Sequence, residues 1–482
     1  MILGLIFFLL TIFLVILFFI PQTEVIVLKK LSIWISGFIL ILTTFLLITF
    51  KLNSFYFQNM TSFNIGSSLF NITFVFGLDG ISILFVFLTS LLCLLCLIFI
   101  WNEYFFKYFL VNLFLLELLL ILVFSTLDIL LFYIFFEAIL IPMFFLIGIW
   151  GSRERKIRAA YLLFFYTLIT SLLMLSSLLY IYYKVGSFSF EYITTYPFSF
   201  KEQFWLWLAF FFSLASKIPM FPFHIWLPEA HVEAPTIGSV LLAGILLKIG
   251  VYGLIRFNIS LFIEASIFFS PLVFILALIG IIYASFTALR QTDLKRIIAY
   301  SSIAHMNLVV LGLFSFNNLG LEGGLLQSIN HGFVSGALFL LIGVVYNRYH
   351  SRLLIYYGGL VYTMPIYASI FLYFTLANIA LPGTSSFIGE FLLLLGTFKF
   401  NIISGFVAAL SVIVSGAYSL WLTNRLLFGN LKIKFTNIYK DINIREFMII
   451  LPLIIFVLLF GIFPNIILKF IQTSYIYIIY FQ

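Results

Sequence analysis

Stretches of about twenty apolar residues follow one another along the whole chain, interrupted only by short segments holding charges, prolines or clustered polar residues. As a helix, each stretch is long enough to cross ~30 Å of hydrocarbon. Lipid offers no partner for open backbone groups, so spanning segments close their hydrogen bonds internally, as helices or as sealed barrels. A barrel is excluded here, because the runs lack period-two alternation and outlast tilted strands of ~10 residues. Cutting the 482 residues at the interruptions gives about fourteen helix candidates, centred near residues 11, 41, 89, 117, 138, 170, 215, 247, 270, 305, 334, 380, 415 and 458. The expectation is one all-α, polytopic membrane domain over residues 1–482. Charged residues make up only 9% of the chain, against ~25% in soluble domains. The first run, Met1 to Ile20, has no basic start and no small-residue cleavage site before Pro21, which reads as a retained helix. Cys93 and Cys96 lie within one apolar run, where packing outweighs redox or metal chemistry, and no disulfide framework exists.

The formal net charge of +8 does not point to nucleic acid in such a chain, because basic residues of multispanning proteins gather in loops on one membrane face. Of the 25 Lys and Arg, 17 fall after odd-numbered spans, among them Lys295, Arg296, Arg352 and Lys434. Six fall after even-numbered spans or at the C-terminal end, Arg256 among them, and Lys217 and Lys248 lie inside spans. This asymmetry puts the odd loops in the cytoplasm or an organelle matrix and both termini on the opposite side.

Two spans carry proline at mid-membrane. The seventh reads Ser216-Lys217-Ile218-Pro219-Met220-Phe221-Pro222, and the twelfth reads Ala380-Leu381-Pro382-Gly383-Thr384-Ser385. Proline frees a carbonyl that lipid cannot satisfy, so such breaks belong where protein or water lines the gap. Broken helices five spans apart are oppositely oriented, which points to inverted repeats with an ion path at their interface; prolines that merely kink their helices are the simpler alternative. The expected repeats span residues 108–257 and 260–428.

Ionisable groups at membrane depth cost about 2.5–3.5 kcal/mol each on insertion scales and are functional candidates by default. Seven spans each carry one: Glu117, Glu137, Lys217, Lys248, His305, His331 and Glu390. Burial disfavours the Lys217 ammonium while the Glu137 carboxylate favours it, so separating the two releases a proton; a static salt bridge is the simpler alternative. Lys248, His305 and His331 follow on spans eight, ten and eleven, and histidine exchanges protons near neutral pH, although a lone helix histidine is often only packing. Glu390 follows the second break and is the natural terminal group, or else a cap for freed amides. Glu117 either pairs with a neighbouring subunit or feeds the same chain. Asp79 and Asp128 stand at helix starts, where a carboxylate complements the dipole. The segment His224 to Pro235, HIWLPEAHVEAP, lacks the H-E-x-x-H spacing of a zinc site and reads as an admitting or gating loop on the basic side. No dinucleotide fingerprint, Walker loop or iron–sulfur cysteine set is present in the sequence.

At these residues the chain resembles the antiporter-like membrane subunits of proton-pumping NADH:quinone oxidoreductase, respiratory complex I. The run WLPEAHVEAPTIGSVLLAGILLKIGVYGLIR, ending at Arg256, carries the likeness. It is supported by FYIFFEAILIPM at 132–143, LKRIIAYSSIAHMN at 294–307 and ANIALPGTSSFIGEF at 377–391. The AHVEAP form and the absence of a long lateral helix after span fourteen match the middle of these subunits rather than the distal one. The region before Asp79 carries no specific motif.

The resemblance implies that Glu137 modulates Lys217, that Lys248, His305 and His331 continue a hydrated axis, and that Glu390 exchanges protons with the outer side. It further implies coupling to quinone reduction elsewhere, with NADH, FMN, iron–sulfur clusters and ubiquinone held by other subunits and no redox centre in this chain. Expected partners are other membrane-arm subunits, including neighbouring antiporter-like chains, and the lipid bilayer. A subunit of a cation/proton (Na⁺/H⁺) antiporter is the alternative, since the same charges would serve exchange; a mere scaffold would not need seven buried ionisable groups. Phenylalanine at 64 residues and tyrosine at 26 fit an AT-rich organelle genome, which favours the mitochondrial inner membrane over a bacterial plasma membrane.

Overall fold

The computed structural model describes residues 2–52, 54, 56–67, 70–100, 105–432 and 440–480, with backbone alone for 63–73 and 475–480. Lys434, counted above among the basic loop residues, lies outside the described residues. Twelve helices among these are long and apolar enough to span a membrane: Ile2–Phe19, Val25–Thr49, Gly80–Phe99, Phe106–Ser125, Ile129–Trp150, Lys156–Val185, Thr236–Ile259, Ile263–Arg290, Leu294–Leu313, Asn318–Tyr349, Ile402–Leu427 and Ile444–Ile462. The seventh and twelfth positions are filled by the broken helices, Phe200–Lys217 followed by Trp226–Glu233, and Pro365–Asn378 followed by Ser385–Phe400. The chain is a multi-pass, helical membrane protein, as its hydropathy requires.

Two elements depart from that expectation. Strands β1 (Gln58–Ser67) and β2 (Phe70–Leu78) form an antiparallel hairpin between the second and third spans. Its Thr, Ile, Val and Phe content suits a pleated ribbon, a signal hidden by the longer apolar runs on either side. A further helix, Asn465–Tyr480, follows the fourteenth span.

The chain divides into two compact units. The first comprises residues 1–217, 248–268 and 469–482. Its centre is the third span, apolar on all sides and enclosed by protein, whereas the second span exposes Trp34, Ile41, Phe45 and Ile48 along one stripe. Asp79 caps the third span, accepting from the Ser82 amide, and pairs with the Arg256 guanidinium. Arg256 is thus buried on a π-helical turn, Leu254–Ile259, with its guanidinium near the rings of Phe57, Phe190 and Tyr252, and is not the loop residue that the charge count took it for. A charge this deep persists because a carboxylate and aromatic faces replace its water. Gly80 is required by a close approach, since a Cβ there would stand 2.1 Å from the Phe470 carbonyl oxygen.

The second unit comprises residues 218–247 and 269–468 and is built around the fully enclosed eleventh span. Here the stretch from His224 to Pro235 is a largely buried short helix, Trp226–Glu233, where the sequence suggested a loop. Pro235 cannot continue it, so its last carbonyls need other donors. Lys295 Nζ donates to Ala234 O at 2.7 Å and to Ser239 Oγ at 3.1 Å, and Arg352 donates to the Val232 carbonyl. Arg296 pairs with Glu229 at 2.7 Å. Lys295 and Arg352 are accordingly buried anchors at the negative end of this helix. At the start of the twelfth-span helix Pro365–Asn378, the Asp441 carboxylate accepts from the amides of Ile366 and Tyr367, capping the first turn.

Candidate functional site

Within the first unit, Lys217 is the last residue of its helix and is 3% exposed. An ammonium there complements the helix dipole. Ser216, its neighbour, shares a hydrogen bond of 2.8 Å with Thr170 of the sixth span, which fixes the helix end. Lys217 Nζ lies 4.5 Å from the centre of the Phe136 ring, and the next residue, Glu137, supplies the opposing charge. Glu137 sits where the fifth span is interrupted: helices Ile129–Ala138 and Leu140–Trp150 meet at Ile139. The cause is Pro142, which cannot donate to the Ala138 carbonyl one turn earlier. Ser171 of the sixth span donates to the Leu168 carbonyl at 2.8 Å, and the Glu137 Oε1 has no hydrogen-bond partner among the described residues. The ammonium therefore rests on a ring face and a nearby carboxylate, an arrangement that a small displacement can unbalance.

Lys248 is wholly buried in the eighth span, on a short α-helical stretch between π-helical turns at Leu242–Leu246 and Leu254–Ile259. Such turns widen a helix locally and occur often at functional positions. Glu117, 1% exposed on the fourth span, is within electrostatic reach of Cys93 and Cys96 on the third, and its Oε1 has no hydrogen-bond partner among the described residues.

Within the second unit, the structure brings three predicted residues together. His305 Nδ1 lies 2.9 Å from Glu390 Oε1, and the rings of His305 and His331 are 5.8 Å apart between centres. All three are at most 5% exposed. The twelfth-span break places Glu390 early in the helix Ser385–Phe400, after a turn whose Gly383 adopts a φ of 94°. Asn330 Nδ2 donates to Ser385 O at 2.6 Å, satisfying a carbonyl beside the break.

Several participants were missed by a search for charges. Gln327 Nε2 donates to Glu390 Oε1 at 2.9 Å, and the Tyr418 hydroxyl neighbours both Glu390 and Ser301. Gln327, Asn330 and His331 share one side of the eleventh span at helical spacing, a neutral polar stripe in an apolar helix that could have flagged them. An imidazole bonded to a carboxylate can pass a proton between Nδ1 and Oε1 without further movement of heavy atoms. Among the described residues, no three His, Cys, Asp or Glu side chains converge as a metal ion would require.

Broken spans with buried ionisable groups beside each break define an antiporter-like, ion-translocating class of membrane protein. The chain belongs to the NADH:quinone oxidoreductase/Mrp antiporter transmembrane family, whose pattern matches residues 126–416. It is 51% identical over 452 residues to NADH-ubiquinone oxidoreductase chain 4 of Chondrus crispus, covering 93% of this chain and 92% of that one. Chain 4 of Arabidopsis thaliana is 49% identical over 462 residues, covering 95% and 93%. A chain of respiratory complex I from Thermus thermophilus, solved with bound NADH, superposes with a TM-score of 0.86 at 31% identity, covering 98% of this chain and 100% of its own. A chain of the Mrp complex from Dietzia sp. DQ12-45-1b shares the fold, with a TM-score of 0.83 at 19% identity over 97% and 96%. The resemblance carried by the AHVEAP run and its companion motifs is borne out.

Proposed function

We propose that this chain is a proton-translocating membrane subunit of NADH:ubiquinone oxidoreductase, respiratory complex I, and takes part in that enzyme without holding a redox centre. The observation that carries the reading is its near full-length likeness to NADH-ubiquinone oxidoreductase chain 4 of several organisms. The chemistry is supplied by Glu137 and Lys217 at one break and by His305, His331 and Glu390 at the other, with Lys248 as a further station and Glu117 as a buried carboxyl that feeds the same set. NADH, FMN, iron–sulfur clusters and ubiquinone belong to other subunits, and the partners are the other membrane-arm chains, including neighbouring antiporter-like ones. The compartment is the mitochondrial inner membrane. The two breaks belong to inverted repeats near residues 108–257 and 260–428.

The test has two parts. After mild extraction of native membranes, this chain is expected in the NADH-active band of a native gel. In sealed vesicles, Lys217→Met and Glu390→Gln are each expected to depress NADH-driven proton uptake while NADH oxidation by an artificial acceptor persists. Unchanged proton uptake in both variants would refute the relay. Migration only in a smaller, NADH-inactive assembly, with proton flux driven by a Na⁺ or K⁺ gradient, would favour a cation/proton antiporter.

A further inference from the structure

Glu390 has a second donor besides His305, and both address the same oxygen. Gln327 Nε2 and His305 Nδ1 each stand 2.9 Å from Oε1. An ionised carboxylate only accepts, so the amide nitrogen of Gln327 must face it. The terminal torsion of a glutamate is otherwise broad and nearly two-fold, so either oxygen could turn toward the imidazole. Gln327 is 1% exposed on the eleventh span, and its own Oε1 has no hydrogen-bond partner among the described residues. The helix bearing Glu390 is built to admit it. A Cβ on Gly389 would stand 2.7 Å from Gln327 Oε1 and 3.0 Å from its Cα and Cβ, so only glycine at 389 lets the amide come this close.

We infer that Gln327 is a positioning residue for proton transfer at Glu390, pinning Oε1 toward His305 so that the hand-off needs no carboxylate rotation. This rests on the relay reading above. In the step itself, the Nδ1–H bond of protonated His305 breaks and leaves its electron pair on nitrogen, while an O–H bond forms at Glu390 Oε1. An imidazolium and a carboxylate become a neutral imidazole and a neutral carboxyl. Gln327 keeps donating to the second lone pair of Oε1 throughout, so it exchanges no proton.

Gln327→Met preserves length and removes the donor. In sealed vesicles containing the assembled complex, it is expected to lower NADH-driven proton uptake about ten- to a hundredfold, the loss of one hydrogen bond to a charged group. The solvent deuterium isotope effect on uptake is expected to rise, because transfer at Glu390 becomes limiting; a variant that merely reduced the number of intact complexes would leave that ratio unchanged. Gly389→Ala, which displaces the amide without altering either reacting group, is expected to act in the same direction. If Gln327→Met fails to assemble, Gln327→Asn, one methylene short of Glu390, supplies the same comparison. Wild-type uptake in the assembled Gln327 variant, or a reduced uptake with an unaltered isotope effect, overturns the inference. Wild-type uptake in Glu390→Gln would instead defeat the relay reading on which it stands.

Discussion

The two helix breaks solve one electrostatic problem in different ways. At the first, a single ammonium ends a helix beneath a phenylalanine ring, and its counter-charge is a half-buried carboxylate with one unbonded oxygen. At the second, a carboxylate holds two hydrogen-bond donors on one oxygen, with a second histidine behind. Loose compensation suits a group whose charge responds to a distant event, because little must be broken to change it. Tight compensation suits a transfer point, because the donor and acceptor already stand at reacting distance. The same contrast runs through the supporting structure. The first unit buries Arg256 against Asp79, whereas the second spreads Lys295 and Arg352 over backbone carbonyls and one hydroxyl.

That last difference gives the largest expected effect. Asp79→Ala leaves a guanidinium buried without its carboxylate and should cost about 3–5 kcal/mol, read as a lower thermal midpoint and reduced yield of assembled complex. Lys295→Met strands carbonyls rather than a charge and should cost only about 1–3 kcal/mol; equal losses from the two variants would erase the distinction. Among the reacting groups, Lys217→Met and Glu390→Gln should each reduce proton uptake on the order of a hundredfold, the scale of a lost acid–base group. Their neighbours should then diverge. Removing the loosely held partner with Glu137→Gln should reduce uptake about tenfold or less, whereas His305→Phe, which removes a bonded partner, should approach the Glu390 variant. Equal effects of Glu137→Gln and His305→Phe in the same vesicle assay would break the comparison of the breaks. The smallest effect belongs to Glu229→Ala, whose partly exposed pair with Arg296 should contribute less than about 1 kcal/mol to the thermal midpoint.

The candidate residues were legible one at a time, because each is an ionisable side chain in a segment where burial is expensive. Gln327 and Asn330 were marked only by their helical spacing beside His331, and Tyr418 not at all, since a lone neutral polar group in a span announces no cost until its neighbours are known. Arg256, Lys295 and Arg352 were misread for a related reason. Near a helix end, the sequence cannot distinguish a solvated loop charge from one turned inward onto a carboxylate or an open carbonyl. The short helix at 226–233 was read as a loop because its polar composition resembles a solvated segment, although its polar groups are largely enclosed.

Hydropathy is a local property, and so the membrane class, the fourteen spanning positions and both interruptions could be taken from the order of residues alone. A run of apolar side chains must be helical in lipid whatever surrounds it, and proline breaks the ladder where it stands. Pairing is not local. Asp79 meets Arg256 across 177 positions and Gln327 meets Glu390 across 63, and helical periodicity does not say which face will turn to which neighbour. Only the packing of spans around glycine-sized approaches, such as that at Gly389, decided which buried groups became partners and therefore where a proton can pass.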